Sequence, residues 1–167
     1  MADHESIRKL AAALVAELTA GGKAVSTAES CTGGWIAKAI TDIPGSSNVF
    51  GYGIVCYSNG AKESLLGVRN ETLAAHGAVS EPAVREMAEG AMNLSGADLA
   101  VAVSGIAGPD GGTADKPVGT VWLAWAFRSG GKVCVDAGIE HFSGDRELVR
   151  ELAVAHAIQG LRERIEP

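Results

Sequence analysis

Residues Leu99-Ala-Val-Ala-Val103 form an unbroken apolar run of strand length. A strand with no polar side is covered on both faces, so this run reads as the buried centre of a sheet. The surrounding chain supplies the other elements. Residues 6–20 repeat Leu10, Leu14 and Leu18 on one helical face, and Gly21-Gly22 end that helix. Lys23 to Ala28 reads as a short strand and Trp35 to Thr41 as a helix, followed by a turn at residues 44–48 and a second strand over Val49–Tyr57. Helices are expected at 61–66, 70–76 and 80–94, the last opened by Ser80-Glu81-Pro82. Gly119–Phe127 and Lys132–Glu140 read as strands joined by an Arg-Ser-Gly-Gly turn. A final helix starts near Gly144, with Leu148, Leu152, Ala155, Leu161 and Ile165 as its core stripe. Strands and helices alternate, with one antiparallel pair added late. The expected fold is a three-layer α/β/α sandwich on a mixed, mostly parallel sheet of five or six strands, with residues 1–167 as a single domain.

Composition narrows what such a domain does. The net charge is −6 and there is no basic cluster, which argues against a nucleic-acid or anionic-membrane surface. Cys31, Cys56 and Cys134 are widely spaced and no metal-ligand spacing occurs, so neither a zinc site nor a disulfide framework is expected. The N-terminus is acidic and lacks an apolar stretch, and no run approaches the ~20 residues of a membrane helix. The reading is a cytoplasmic protein without metal or cofactor. The 22 glycines among 167 residues are close to twice the usual ~7%, which points to tight turns or to backbone lying against a ligand.

Three stretches of small residues each follow an expected strand: Glu29–Gly34, Ser58–Lys62 and Ser104–Gly112. Parallel strands would bring all three to one sheet edge, where open α/β sheets bind ligands. Each alone reads as a strand-to-helix turn; three together point to a site. In the first, Ser30 lies between strand and helix, and the amides of Thr32, Gly33 and Gly34 would be free donors at the helix start, able to hold a phosphate or an oxyanion. Ser30 as a helix cap is the plainer role.

A nucleophilic serine needs a base. Ser104 does not fit G-x-S-x-G and Ser30 does not fit S-x-x-K, while His4, His76, His141 and His156 lie on terminal helices, at a helix end or at a sheet edge. That leaves Lys62, in the turn after Tyr57. Lowering a lysine pKa from ~10.4 to ~7–8 by burial costs roughly 4 kcal/mol, so it needs a closed site. A solvated lysine and a half-buried tyrosine are the ordinary alternatives. Cys31 is a rival nucleophile, since a helix N-terminus lowers a thiol pKa, although a buried cysteine more often just packs. The segment Gly105–Val118 is long for a loop between strands; Ser104, Gly105, Gly108, Thr113 and Lys116 could surround a phosphate or ribose. Arg146, at the start of the last helix, suits bidentate anion binding.

The segments Thr27-Ala-Glu-Ser-Cys-Thr-Gly-Gly, Tyr57-Ser-Asn-Gly-Ala-Lys, Ser104-Gly-Ile-Ala-Gly-Pro, Lys116-Pro-Val-Gly-Thr and Phe142-Ser-Gly-Asp-Arg together resemble the C-terminal domain family of the competence/damage-inducible protein CinA, in order over about Ile7–Leu161. The resemblance is to the stand-alone form. It implies hydrolysis of nicotinamide mononucleotide to nicotinic acid mononucleotide and ammonia, with Ser30 as nucleophile, Lys62 as base and Tyr57 assisting. The expected partner is a small nucleotide substrate, in a homo-oligomer. The competing readings are an inactive nucleotide-binding module and a thiol hydrolase using Cys31.

Overall fold

A computed structural model describes residues 4–165. Five strands, β1 (Val25–Glu29), β2 (Phe50–Val55), β3 (Leu99–Gly105), β4 (Thr120–Ser129) and β5 (Lys132–His141), form one sheet in the order β2-β1-β3-β4-β5. Strand β1 runs parallel to both β2 and β3, while β4 and β5 are antiparallel additions. The expected mixed sheet is present with five strands. Because β1, β2 and β3 share a direction, the three small-residue stretches do meet at one edge.

Helices α1 (His4–Gly21), α2 (Trp35–Thr41) and α6 (Arg146–Arg162) cover one face; α3 (Asn59–Leu66), α4 (Asn70–His76) and α5 (Glu81–Ser95) lie on the other. Alternation along β3 divides the two cores. Leu99, Val101 and Val103 join the α1, α2 and α6 layer, and Ala100 and Ala102 face α5. The alanines keep that second core thin. Here α3 rests on α5 at Gly90, where a β-carbon would stand 2.0 Å from the Leu66 carbonyl oxygen. Glycine at that point fixes how closely the helix carrying Lys62 can approach.

Two boundaries differ from the sequence reading. The Lys23 amide donates to the Leu18 carbonyl at 3.0 Å, so Lys23 closes α1 and the strand starts at Val25. The core stripe of α6 is rotated from the leucine pattern: Val149, Ala153, Val154, Ala157, Ile158 and Leu161 are buried, while Leu148, Leu152, Ala155 and Ile165 are half-buried. Shape decides this. The Trp125 indole lies against Gly160, whose added β-carbon would be 2.4 Å from the ring, and donates to the Ala157 carbonyl at 3.0 Å. The small-residue face accepts the indole; the leucine face could not.

Candidate active site

Successive residues at the end of β1 serve opposite sides of the sheet. Glu29 continues the α2 side and Ser30 the α5 side, as strand alternation requires. Ser30 is 9% exposed, and its Oγ is 3.0 Å from Lys62 Nζ. Lys62 stands in the first helical turn of α3, rather than in the preceding turn as its spacing from Tyr57 suggested, and is 1% exposed. The helix is fixed by Ser58, whose Oγ accepts the Ala61 amide at 3.1 Å. Lys62 Nζ also donates to the carbonyls of Cys56 (2.9 Å) and Tyr57 (3.2 Å).

These partners determine what the amine can do. Among the described residues Lys62 has no carboxylate in ion-pair contact, and burial holds its pKa below the usual 10.5. A neutral amine has two N–H groups and one lone pair. Directed at the two carbonyls, the N–H groups leave the lone pair facing the Ser30 hydroxyl, the arrangement a general base needs.

Glu29, which the sequence reading placed just after the strand as the first residue of the Glu29–Gly34 stretch, ends β1 and is fully buried. Its carboxylate accepts from the Thr32 hydroxyl at 2.7 Å and from the amides of Ile36 and Ala37, both at 2.9 Å. The first turn of α2 is therefore satisfied internally, which corrects the expectation that this helix start is open to a ligand anion. The Gly33 amide is likewise not free, since it donates to the Ser30 carbonyl at 3.0 Å. Thr32 and Gly34 amides have no acceptor among the described residues. The tight path between them requires Gly33 at φ 61° and Gly34 at φ 96°, a region that side chains avoid.

Cys31 departs from the thiol reading. It is buried, and burial pushes its pKa up to about 11, with the neighbouring Glu29 charge adding to the rise. Cys56 is buried too, and its pKa is also raised. Neither sulfur is a ready nucleophile.

The remaining expected residues divide. The register pairs Glu29 with Val103, which brings Ser104, buried on β3, alongside Ser30. Gly105 ends β3. Tyr57 lies beyond β2 and is 60% exposed; its hydroxyl accepts from Arg146 Nη2 at 3.2 Å. Arg146 Nη1 donates to the Gly108 carbonyl at 2.8 Å, so one guanidinium joins Tyr57 to the 106–119 loop. Thr113 is exposed, and its Oγ1 accepts the Lys116 amide within a local turn. Lys116 Nζ is taken by the His76 carbonyl at 2.7 Å, at the end of α4, so it braces the loop and does not join the Ser30 cluster. Arg150 went unread in the sequence although it follows Arg146 by one helical turn. It donates to the carbonyls of Cys31 and Thr32, each at 3.0 Å.

Among the described residues no cluster of His, Cys, Asp and Glu could hold a metal ion, and no helix is long and apolar enough to cross a membrane. The arrangement suits acyl transfer: a buried hydroxyl against a buried amine, uncommitted amides beside it, and a cationic rim.

The model of the CinA C-terminal domain family matches residues 7–165. Nicotinamide-nucleotide amidohydrolase PncC of Escherichia coli is 60% identical over 144 residues, 86% of this chain and 86% of that protein. The protein of the same name from Enterobacter agglomerans is 54% identical over 164 residues, 98% of both chains. Among solved structures, the competence/damage inducible protein CihA of Agrobacterium tumefaciens has a TM-score of 0.90 at 45% identity, covering 96% of each chain.

Proposed function

The chain belongs to the CinA C-terminal domain family, and from that premise we propose that it is a nicotinamide-nucleotide amidohydrolase working through a Ser30–Lys62 pair. The activity for which these relatives are named supports the reaction class. The 3.0 Å contact between Ser30 Oγ and the buried Lys62 Nζ, whose pKa burial lowers from the usual 10.5, is the observation that carries the mechanism.

Neutral Lys62 takes the Ser30 proton as Oγ bonds to the carboxamide carbon and the carbonyl π pair moves to oxygen. The Thr32 and Gly34 amides receive the oxyanion, a contribution of about 3–4 kcal/mol per donor. On collapse the C–N bond breaks and the Lys62 ammonium returns a proton to the departing nitrogen, releasing ammonia. Water then attacks the nicotinoyl ester, giving its proton to Lys62, and Ser30 is restored by that same proton. Tyr57 assists the proton at the rim. The Arg146 guanidinium grips the nucleotide phosphate, with Ser104, Gly105, Gly108 and Thr113 lining the ribose side.

The purified chain incubated with nicotinamide mononucleotide is expected to release ammonia and nicotinic acid mononucleotide in equal amounts. Ser30→Ala should lose turnover by about 10⁴-fold or more, the scale of deleting a nucleophile, while still binding the nucleotide. Unchanged ammonia release from that variant ends the proposal.

A further inference from the structure

The Ser30 loop is gripped by two side chains of opposite chemistry. Glu29 accepts from its donors, and Arg150 donates to its carbonyls. Thr32 is held at three points. Its hydroxyl donates to Glu29 at 2.7 Å. Its carbonyl accepts the Trp35 amide at 3.1 Å and Arg150 Nη2 at 3.0 Å. Arg150 Nε meanwhile holds the preceding carbonyl, that of Cys31, at 3.0 Å. Of the polar groups of Thr32 itself, the amide alone is left without an acceptor among the described residues.

The direction of that amide follows from the peptide plane. The Cys31–Thr32 bond is trans, so the Thr32 N–H points opposite to the Cys31 carbonyl. Arg150 pulls the carbonyl toward α6, and the N–H is therefore turned away from α6. The next peptide is oriented by the same guanidinium, but its N–H, on Gly33, is consumed by the Ser30 carbonyl at 3.0 Å. Of the two amides that Arg150 aims, one closes the turn and one remains for a ligand. The guanidinium itself lies over the Trp35 ring, 5.4 Å from its centre.

We infer that Arg150 is a positioning residue for the reaction: it fixes the Thr32 amide as the oxyanion donor without touching substrate. This rests on the amidohydrolase reading above. A planar fork of donors suits two successive carbonyls, whereas a lysine offers a single mobile point charge.

The test is steady-state ammonia release from nicotinamide mononucleotide by the parent chain, Arg150→Ala and Arg150→Lys, with thermal unfolding of each and added guanidinium ion below denaturing concentrations. The Ala variant is expected to lose about 10²-fold in kcat, the scale of one oxyanion donor, with KM within about threefold of the parent. Guanidinium should restore part of that kcat in the Ala variant and none in the parent, and Lys should remain impaired. The inference is overturned by a kcat near that of the parent, by a loss carried in KM, or by a kcat loss in folded protein that guanidinium leaves untouched. If Ala does not fold, the Lys variant decides: parental kcat overturns the inference and impaired kcat at unchanged KM supports it. An inactive parent chain would instead sink the amidohydrolase reading, and this inference with it.

Discussion

Lys62 and Arg146 are long cationic side chains at the same sheet edge, in opposite surroundings. Lys62 is enclosed, bonded to two carbonyls and a hydroxyl, and burial weakens its hold on a proton. Arg146 is exposed and spans from the Gly108 carbonyl to the Tyr57 hydroxyl. In the proposed mechanism the enclosed amine serves as the base and the exposed guanidinium as the anion grip, so proton transfer is assigned to the interior of the site and recognition to its rim.

Replacing Lys62 should strike hardest. Lys62→Met is expected to reduce kcat by about 10²–10⁴-fold, the range of a lost general base, with nucleotide affinity close to that of the parent. Lys62→Arg should be as impaired, because a guanidinium gives up no proton at working pH. Activity from either variant near the parent's would erase the distinction between interior and rim.

The pH profile comes next in size. The proposed mechanism uses Lys62 in its neutral form, and burial lowers its pKa from 10.5. The parent's kcat/KM should therefore climb with pH, by about tenfold per unit on the acid side, and level off before the ordinary lysine range is reached. Titration from pH 6 upward checks this, with Lys62→Met as the flat comparison. A level parental profile from pH 6 to 9 assigns the base to another group.

The smallest effect belongs to the rim. Arg146→Ala should raise KM by about 10- to 100-fold, as expected for losing a charged hydrogen-bonding group worth about 1.5–3 kcal/mol, and leave kcat within a few-fold. Arg146→Lys, which keeps the charge, should recover part of that affinity. A fall confined to kcat would move Arg146 from the rim to the chemistry.

What could be read from the sequence followed the range of each interaction. A mostly parallel sheet was legible because strand and helix periods are local, and parallel strands would bring the Ser30 and Lys62 stretches to one edge; the order β2-β1-β3 was not legible, since it is set by long-range packing. Glu29 was hidden by its position: a carboxylate next to Ser-Cys-Thr-Gly-Gly reads as part of the turn after the strand until α2 is placed against it. A strand residue on the inward register just before a helix was the available signal. Arg150 was hidden by distance, since its contact to Cys31 spans 119 residues. The leucine stripe of α6 misled because hydrophobic spacing does not know the shape of Trp125, which selects the alanine face.

Arg146 and Arg150 ride on one helix, a single turn apart. A roll or slide of α6 would shift the proposed nucleotide grip and the brace on the Ser30 loop together. Selection for a different amide by repacking this helix would carry a penalty in turnover, so broadening substrate scope would succeed more readily through the 106–119 loop, which can be remodelled while the helix stays in place.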